Sequence, residues 1–238
     1  MAERVKSKRA ESTGVALRVR DLGLTDYRTV FEAMRSFTEA RDANSTDEIW
    51  LTEHEAVFTQ GQAGKPENLL APGGIPVVAT DRGGQVTYHG PGQIVAYTMF
   101  DVDRMGIGVR ALVGGIEGAM IAVLRDWNIE AEARGDARGV YAQGRKIGAL
   151  GLRIRHGCAY HGLALNVAMD LEPFSRINPC GLVGMDVTQV SDLGGPRSLD
   201  VGRTALAREL ALRFGFDPSA AYPGRWVRDV AVEPTPLH

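Results

Sequence analysis

Cysteine is scarce in this chain: two residues, Cys158 and Cys180, in 238. Two cysteines far from any repeated spacing build no disulfide framework, which suits a reducing, cytoplasmic setting. No apolar run approaches the ~20 residues that a membrane helix needs. Charge of one sign is also missing. A net charge of −2 excludes the strongly basic profile of a general nucleic-acid binder and gives no pull toward anionic membranes. The opening stretch MAERVKSKRAESTG is charged and lacks the apolar centre of a signal peptide. Residues 1–14 therefore read as a flexible tail, residues 231–238 as another, and residues 15–230 as a single domain. With 44% hydrophobic residues, that domain is large enough to bury a core.

Two phosphate-binding signatures fail. No G-x-x-x-x-G-K-[ST] is present, so there is no P-loop. Gly106–Ala111 reads GIGVRA, but DVDRM separates it from the preceding strand, and a plain helix start explains it. His156, Cys158 and His161 lie close together, yet turn and strand residues of this kind are more often hydrogen-bonded than metal-bound, and no metal is expected. His54 has no neighbour in sequence that suggests a role.

The periodicities that are present define a mixed protein. Tyr27, Val30, Phe31, Met34 and Phe37 fall on one helical stripe, with Thr25 or Asp26 as cap. Leu112, Ile116, Met120, Val123 and Trp127 mark a second helix, whose Gly114, Gly115 and Gly118 would admit a close neighbour. A third helix spans roughly 201–214. Between them, EIWL, AVFTQG, IPVVAT, IVAYTMFDV, GVYAQ, KIGALGLRIR and AYHGLALNVAM read as strands joined by short glycine-containing turns. The expected class is α+β: a mixed or antiparallel sheet packed with helices.

Chemistry concentrates in three places. RGGQVTYHGPGQ, from Arg82, sets bare backbone and polar side chains ahead of a buried strand. Cys180 sits between Pro179 and Gly181 in INPCGLVG, a stiff presentation that suits a nucleophile and equally a buried turn cysteine. Lys146 opens the strand KIGALGLRIR. Such a lysine is either solvated or, if it faces an apolar cleft, gives up its proton more readily and serves as a base. From Arg134 to Arg155 there are six basic residues against the single acid Asp136. This is either an edge guard or a docking face for an acidic partner.

RGGQVTYHGPGQIVAY, GRKIGALGLRIRHGCAYHGLALNV and LEPFSRINPCGLVGMDVTQV, in that order, closely resemble the lipoyl(octanoyl) transferases, the lipoate-protein ligase B family. The resemblance covers about residues 24–214. It implies a fold like the catalytic domains of biotin and lipoate ligases, with residues 15–230 as the catalytic domain. It also implies a reaction. An octanoyl group leaves the thioester of octanoyl-acyl carrier protein, rests on a cysteine, and ends as an amide on a specific lysine. The acceptors are lipoyl domains, such as those of 2-oxoacid dehydrogenase E2 subunits, and the glycine cleavage H protein.

Carried over position by position, Cys180 is the acyl-thioester nucleophile and Lys146 the lysine that tunes it. Arg82, Gly83, Gly84, Gln85, Val86, Thr87, Tyr88 and His89 form one wall of the acyl pocket. Ala149, Leu150 and Gly151 form a second wall; Gly162, Leu163 and Ala164 form the third. No cofactor, nucleic acid or membrane is implied. The chain departs from the family pattern at Leu182 and Val183, where an aromatic residue and alanine are common, and at Ala168. The alternatives are an ATP-dependent lipoate or biotin-type ligase on the same fold and a non-catalytic module that binds acyl carrier or lipoyl domains.

Overall fold

The computed structural model describes residues 16–221, except the side chains of Cys180, Ala220 and Ala221. The two proposed tails, residues 1–14 and 231–238, lie outside the described residues. The chain runs β1 (Leu17–Thr25), α1 (Tyr27–Glu39), β2 (Asp47–His54), β3 (Val57–Gln60), β4 (Val77–Ala79), β5 (Val86–His89), β6 (Gln93–Met99) and α2 (Val109–Asp126). There follow β7 (Glu132–Ala133), β8 (Val140–Ala142), β9 (Arg145–Arg155), β10 (Cys158–Asn166) and α3 (Leu199–Arg213), with short 3-10 turns between.

Seven strands form one sheet in the order β1-β2-β6-β10-β9-β8-β7. Only β1 and β2 pair in parallel, as a pair joined by a helical crossover can; the rest are antiparallel. Two two-residue turns fold the meander. Gln143–Gly144 and His156–Gly157 all have positive φ, the type I′ geometry whose twist matches paired strands. β3, β4 and β5 form a separate three-stranded sheet. Thus EIWL and AVFTQG do not pair with each other, although they are adjacent in sequence. β1, with arginines alternating along a half-exposed edge, gives no apolar run and was not among the expected strands.

α2 and α3 cover one face of the large sheet, where Leu112, Ile116, Met120, Leu206 and Leu210 meet Leu163, Leu165 and Ile147. A Cβ on Gly115 would lie 2.5 Å from the Phe214 ring, and one on Gly118 2.7 Å from the Arg213 guanidinium. The expected close approach is therefore made by the end of α3, while Gly114 faces open space. On the opposite face α1, capped by Asp26 accepting from Thr29 N at 2.9 Å, packs Val30 and Met34 against Trp50, Val95, Tyr97 and Ala164. After α2 the chain enters the antiparallel β7–β8 pair, so GIGVRA opens no parallel β-α-β unit. Among the described residues no helix is long and apolar enough to cross a membrane.

Candidate active site

β9 and β10 build a floor through simple alternation. Successive residues point to opposite faces. Leu163 and Leu165 go to the helical core, leaving Gly162 and Ala164 on the α1 side, beside Gly151 and Ala149 on β9. The small residues leave space over the sheet, and the loop before β5 roofs part of it. The result is a cleft with about 770 Å³ of empty space, some of it open to solvent.

Lys146, Arg82, Gly84, Gln85, Val86, Thr87, His89, Ala149, Leu150, Gly151, Gly162, Leu163 and Ala164 all line this cleft. Gly83 and Tyr88 do not. Gly83 N donates to Leu152 O at 2.9 Å, which fastens the loop to β9. Tyr88 turns into a neighbouring cluster, its ring centre 5.5 Å from those of both Phe58 and Phe174. Leu163 belongs to the wall by strand position, while its side chain serves the core on the other face. Leu182 and Val183 are exposed, and neither they nor Ala168 lines the cleft.

Arg82 works as a staple. Its guanidinium donates to Thr59 O at 2.6 Å, Gln85 O at 2.8 Å and Gly83 O at 3.0 Å, which fixes the loop to β3. Gly84 is the bend of that loop, with φ of 88°. Arg82→Ala would strand buried carbonyls as well as remove the bonds. A loss of about 2–4 kcal/mol is expected, read as a lowered denaturant midpoint at unchanged slope.

The cysteine turn is tied to the same loop. Asn68 Nδ2 donates to Gln85 Oε1 at 2.6 Å, and Asn178 N donates to Asn68 O at 2.8 Å. Gly181, with φ of 73°, lies so close that a Cβ there would meet Gln85 Nε2 at 2.5 Å. The backbone of Cys180 sits in the turn Pro179–Gly181, and Pro179 lines the cleft together with Lys146. Lys146 is buried; its Nζ donates to Arg138 O at 2.9 Å and lies 5.5 Å from the Tyr141 ring centre. Its backbone pairs with the segment just after the cysteine turn, through Lys146 N to Asp186 O (2.9 Å) and Thr188 N to Lys146 O (2.8 Å). A polar chain secures that segment. His89 Nδ1 donates to Gln93 Oε1 (2.7 Å), Gln93 Nε2 to Asn166 Oδ1 (2.9 Å), and Asn166 Nδ2 to Thr188 O (3.0 Å). Cys158 lies elsewhere: it is buried at the start of β10, and burial pushes its thiol up, away from nucleophilic use.

Several residues at or behind the cleft carried no local signal. Asn68, which braces Gln85 and Asn178 from behind, sits in an unremarkable PENLL, and Tyr27, Tyr97 and His161 reach the cleft from α1, β6 and β10. His54, set aside in the sequence, shares a 2.5 Å hydrogen bond with the Tyr97 hydroxyl. His161 is hydrogen-bonded, as a strand histidine of this kind is expected to be, to Asp81 at 2.8 Å, while His156 occupies a hairpin turn.

Burial lowers the pKa of His54 from 6.5 to about 4 and that of His89 to about 3. Both stay neutral in the fold while the unfolded chain protonates them near 6.5. The unfolded state then binds more protons, so stability falls as pH drops from about 6.5 toward 4. Each histidine contributes a slope of up to ~1.4 kcal/mol per pH unit. Denaturant midpoints measured from neutral to acid pH should show this decline, and His89→Gln should flatten it; an equal slope in the variant would contradict the assignment.

A cleft of this construction, between a large mixed sheet and a small one, defines a known class. The chain aligns with the crystal structure of lipoate-protein ligase A bound with ATP, at a TM-score of 0.69 and 18% identity, covering 84% of this chain and 86% of that one. Biotin protein ligase from Aquifex aeolicus aligns at a TM-score of 0.51 and 8% identity, covering 82% and 68%. At these identities the likeness is one of fold. Residues 26–211 match the lipoyl protein ligase A/B catalytic domain. A curated octanoyltransferase of Xanthomonas axonopodis pv. citri is 55% identical over 224 residues, 93% of this chain and 95% of that one. The chain belongs to the lipoyl protein ligase A/B catalytic-domain family and, within it, to the octanoyltransferases, which are acyl-transferring enzymes.

Proposed function

We propose that this enzyme moves an octanoyl group from the thioester of acyl carrier protein, through a thioester on Cys180, to a lysine of a lipoyl domain. The observation that carries the reading is a coincidence of place. The buried Lys146 and Pro179, the first residue of the turn that bears Cys180, line one cleft with a floor of glycine and alanine. An acyl chain is apolar along its length and polar only at its carbonyl. Each methylene buried in such a slot contributes ~0.8 kcal/mol, enough to select an acyl donor over its bare carrier.

The steps follow from the two groups. Lys146 takes the proton of Cys180, and the thiolate attacks the thioester carbonyl. The tetrahedral intermediate collapses, the carbon–sulfur bond to the carrier breaks, and Lys146 returns the proton to the departing thiol. The carrier leaves and the acceptor amine enters. It attacks the Cys180 thioester, gives a proton to Lys146, and the amide forms as the Cys180 sulfur is released. Thioester to amide is downhill, so the reading asks for no nucleotide, metal or other cofactor. Acceptors would be the lipoyl domains of 2-oxoacid dehydrogenase E2 subunits and the glycine cleavage H protein, in the cytoplasm, where acyl carrier is charged.

Incubation with octanoyl-acyl carrier protein and a lipoyl domain, without ATP, should give an octanoylated lysine. Activity confined to free octanoate plus ATP would instead favour a ligase. Binding of the carrier with no transfer under either condition would favour a non-catalytic module.

A further inference from the structure

The slot has a direction. Along the β9–β10 pair Leu165 faces Gly148, Ala164 faces Ala149, Gly162 faces Gly151 and His161 faces Leu152. Lys146 and Asn166 thus mark one end of the cleft and His161 the other. The Lys146 amine reaches forward along the strand to Gly148, since a Cβ on Gly139 would lie 3.2 Å from Nζ and 2.6 Å from Gly148 O. Four residues of strand separate Gly148 from Leu152, ~13 Å of backbone. The floor of small residues stops at His161.

His161 reaches this position through an exceptional backbone. Its φ is 61°, a left-handed conformation inside a strand for a residue other than glycine. Regular alternation would carry a residue after Tyr160 to the opposite face. Instead its imidazole stacks on Phe31 of α1, with ring centres 5.4 Å apart, and on Tyr160 at 4.9 Å. Nε2 bonds Asp81 Oδ1 at 2.8 Å, and the Tyr160 hydroxyl donates to the other Asp81 oxygen. Partial burial alone would raise the Asp81 carboxyl; the bonds from His161 and Tyr160 outweigh it and hold it at about 2. Burial lowers the His161 pKa despite Asp81, so the ring is neutral and donates from Nε2. Nδ1 is buried and has no hydrogen-bond partner among the described residues. A strained, doubly clamped ring with an unpaired nitrogen at a cleft wall is unusual in a merely structural residue.

We propose that His161, anchored by Asp81, is the end stop of the acyl slot and sets the longest chain the enzyme accepts. The proposal rests on the reading of the cleft as an acyl slot whose reacting end is at Lys146. A chain seated with its carbonyl there runs over Ala149, Ala164, Gly151 and Gly162, and its terminal methyl meets the imidazole. A longer chain must displace a ring held by Asp81 on one side and Phe31 on the other, so its added methylenes find no apolar seat.

The test is acyl-enzyme formation, read by intact-protein mass spectrometry, from an equimolar mixture of carriers bearing hexanoyl, octanoyl, decanoyl and dodecanoyl groups. The wild type should favour octanoyl over the longer chains. His161→Asn keeps a residue tolerant of left-handed backbone and shortens the side chain. It should raise the decanoyl-to-octanoyl ratio about tenfold, the worth of two newly buried methylenes. Asp81→Asn, at the more exposed end of the pair, should shift the ratio the same way by less, and it decides the matter if His161→Asn does not fold. An acylated wild type whose ratio is unchanged in the folded variants would overturn the end stop while leaving the transfer reading intact. A wild type that takes no acyl chain would overturn both.

Discussion

Cys180→Ala should abolish transfer of octanoyl from carrier to lipoyl domain, with turnover down by about ten-thousand-fold or more, the scale seen when a covalent nucleophile is removed. The fold should survive. The turn is held by backbone and amide contacts that do not involve the cysteine side chain: Asn178 to Asn68, Asn68 to Gln85, and Gly181 against Gln85. Carrier binding should therefore remain near the wild-type level while product formation disappears. Cys180→Ser should behave almost as badly, because a hydroxyl is far harder to ionise than a thiol. A variant that kept more than a few per cent of the wild-type rate would mean that the acyl group passes directly between the two partners.

The second large effect belongs to Lys146. In the proposed mechanism Lys146 accepts and returns protons in both half-reactions, so Lys146→Ala should lower each by about a hundred- to ten-thousand-fold. The two halves can be separated: single-turnover acylation of the enzyme, then chase with lipoyl domain. Both should slow, and Lys146→Arg should not rescue, since guanidinium does not give up a proton near neutral pH. Part of the effect is architectural. The Nζ bond to Arg138 O and the contact with the Tyr141 ring place the amine, and Gly139 packs so tightly that a Cβ there would meet Lys146 Cε at 2.7 Å. A loss confined to the second half-reaction would assign Lys146 to the acceptor amine alone.

Much of this was legible in the sequence, for reasons that differ by element. The stripes of α1 and α2 gave their helices because a 3.6-residue period survives in sequence. The tight turns of the meander were visible as glycine joints between β-prone runs. The floor of the slot was present in GALGL and GLALN as small residues alternating with leucines, although Leu163, which lines the cleft by strand position, gives its side chain to the helical core. What stayed hidden depends on distant pairing. The β3–β4–β5 sheet joins short strands whose partners no local pattern names. Asp81 and His161 are 80 positions apart, and Asn68 and Asn178 are 110 apart. The place of His161 at the cleft wall stayed hidden because its left-handed backbone, which swings the ring to the other face, leaves no mark in composition. Tyr88 was placed in the pocket with its neighbours, though strand alternation sends it to Phe58 and Phe174.

The central claim is a transient bond between one sulfur and one acyl group, and peptide mapping after brief mixing with octanoyl-acyl carrier protein tests it most directly. The account predicts an added octanoyl group, labile to hydroxylamine and confined to the peptide that contains Cys180, which vanishes when lipoyl domain is supplied. An unmodified Cys180 peptide in a sample that still turns over, or an octanoyl group on Cys158 instead, would contradict it.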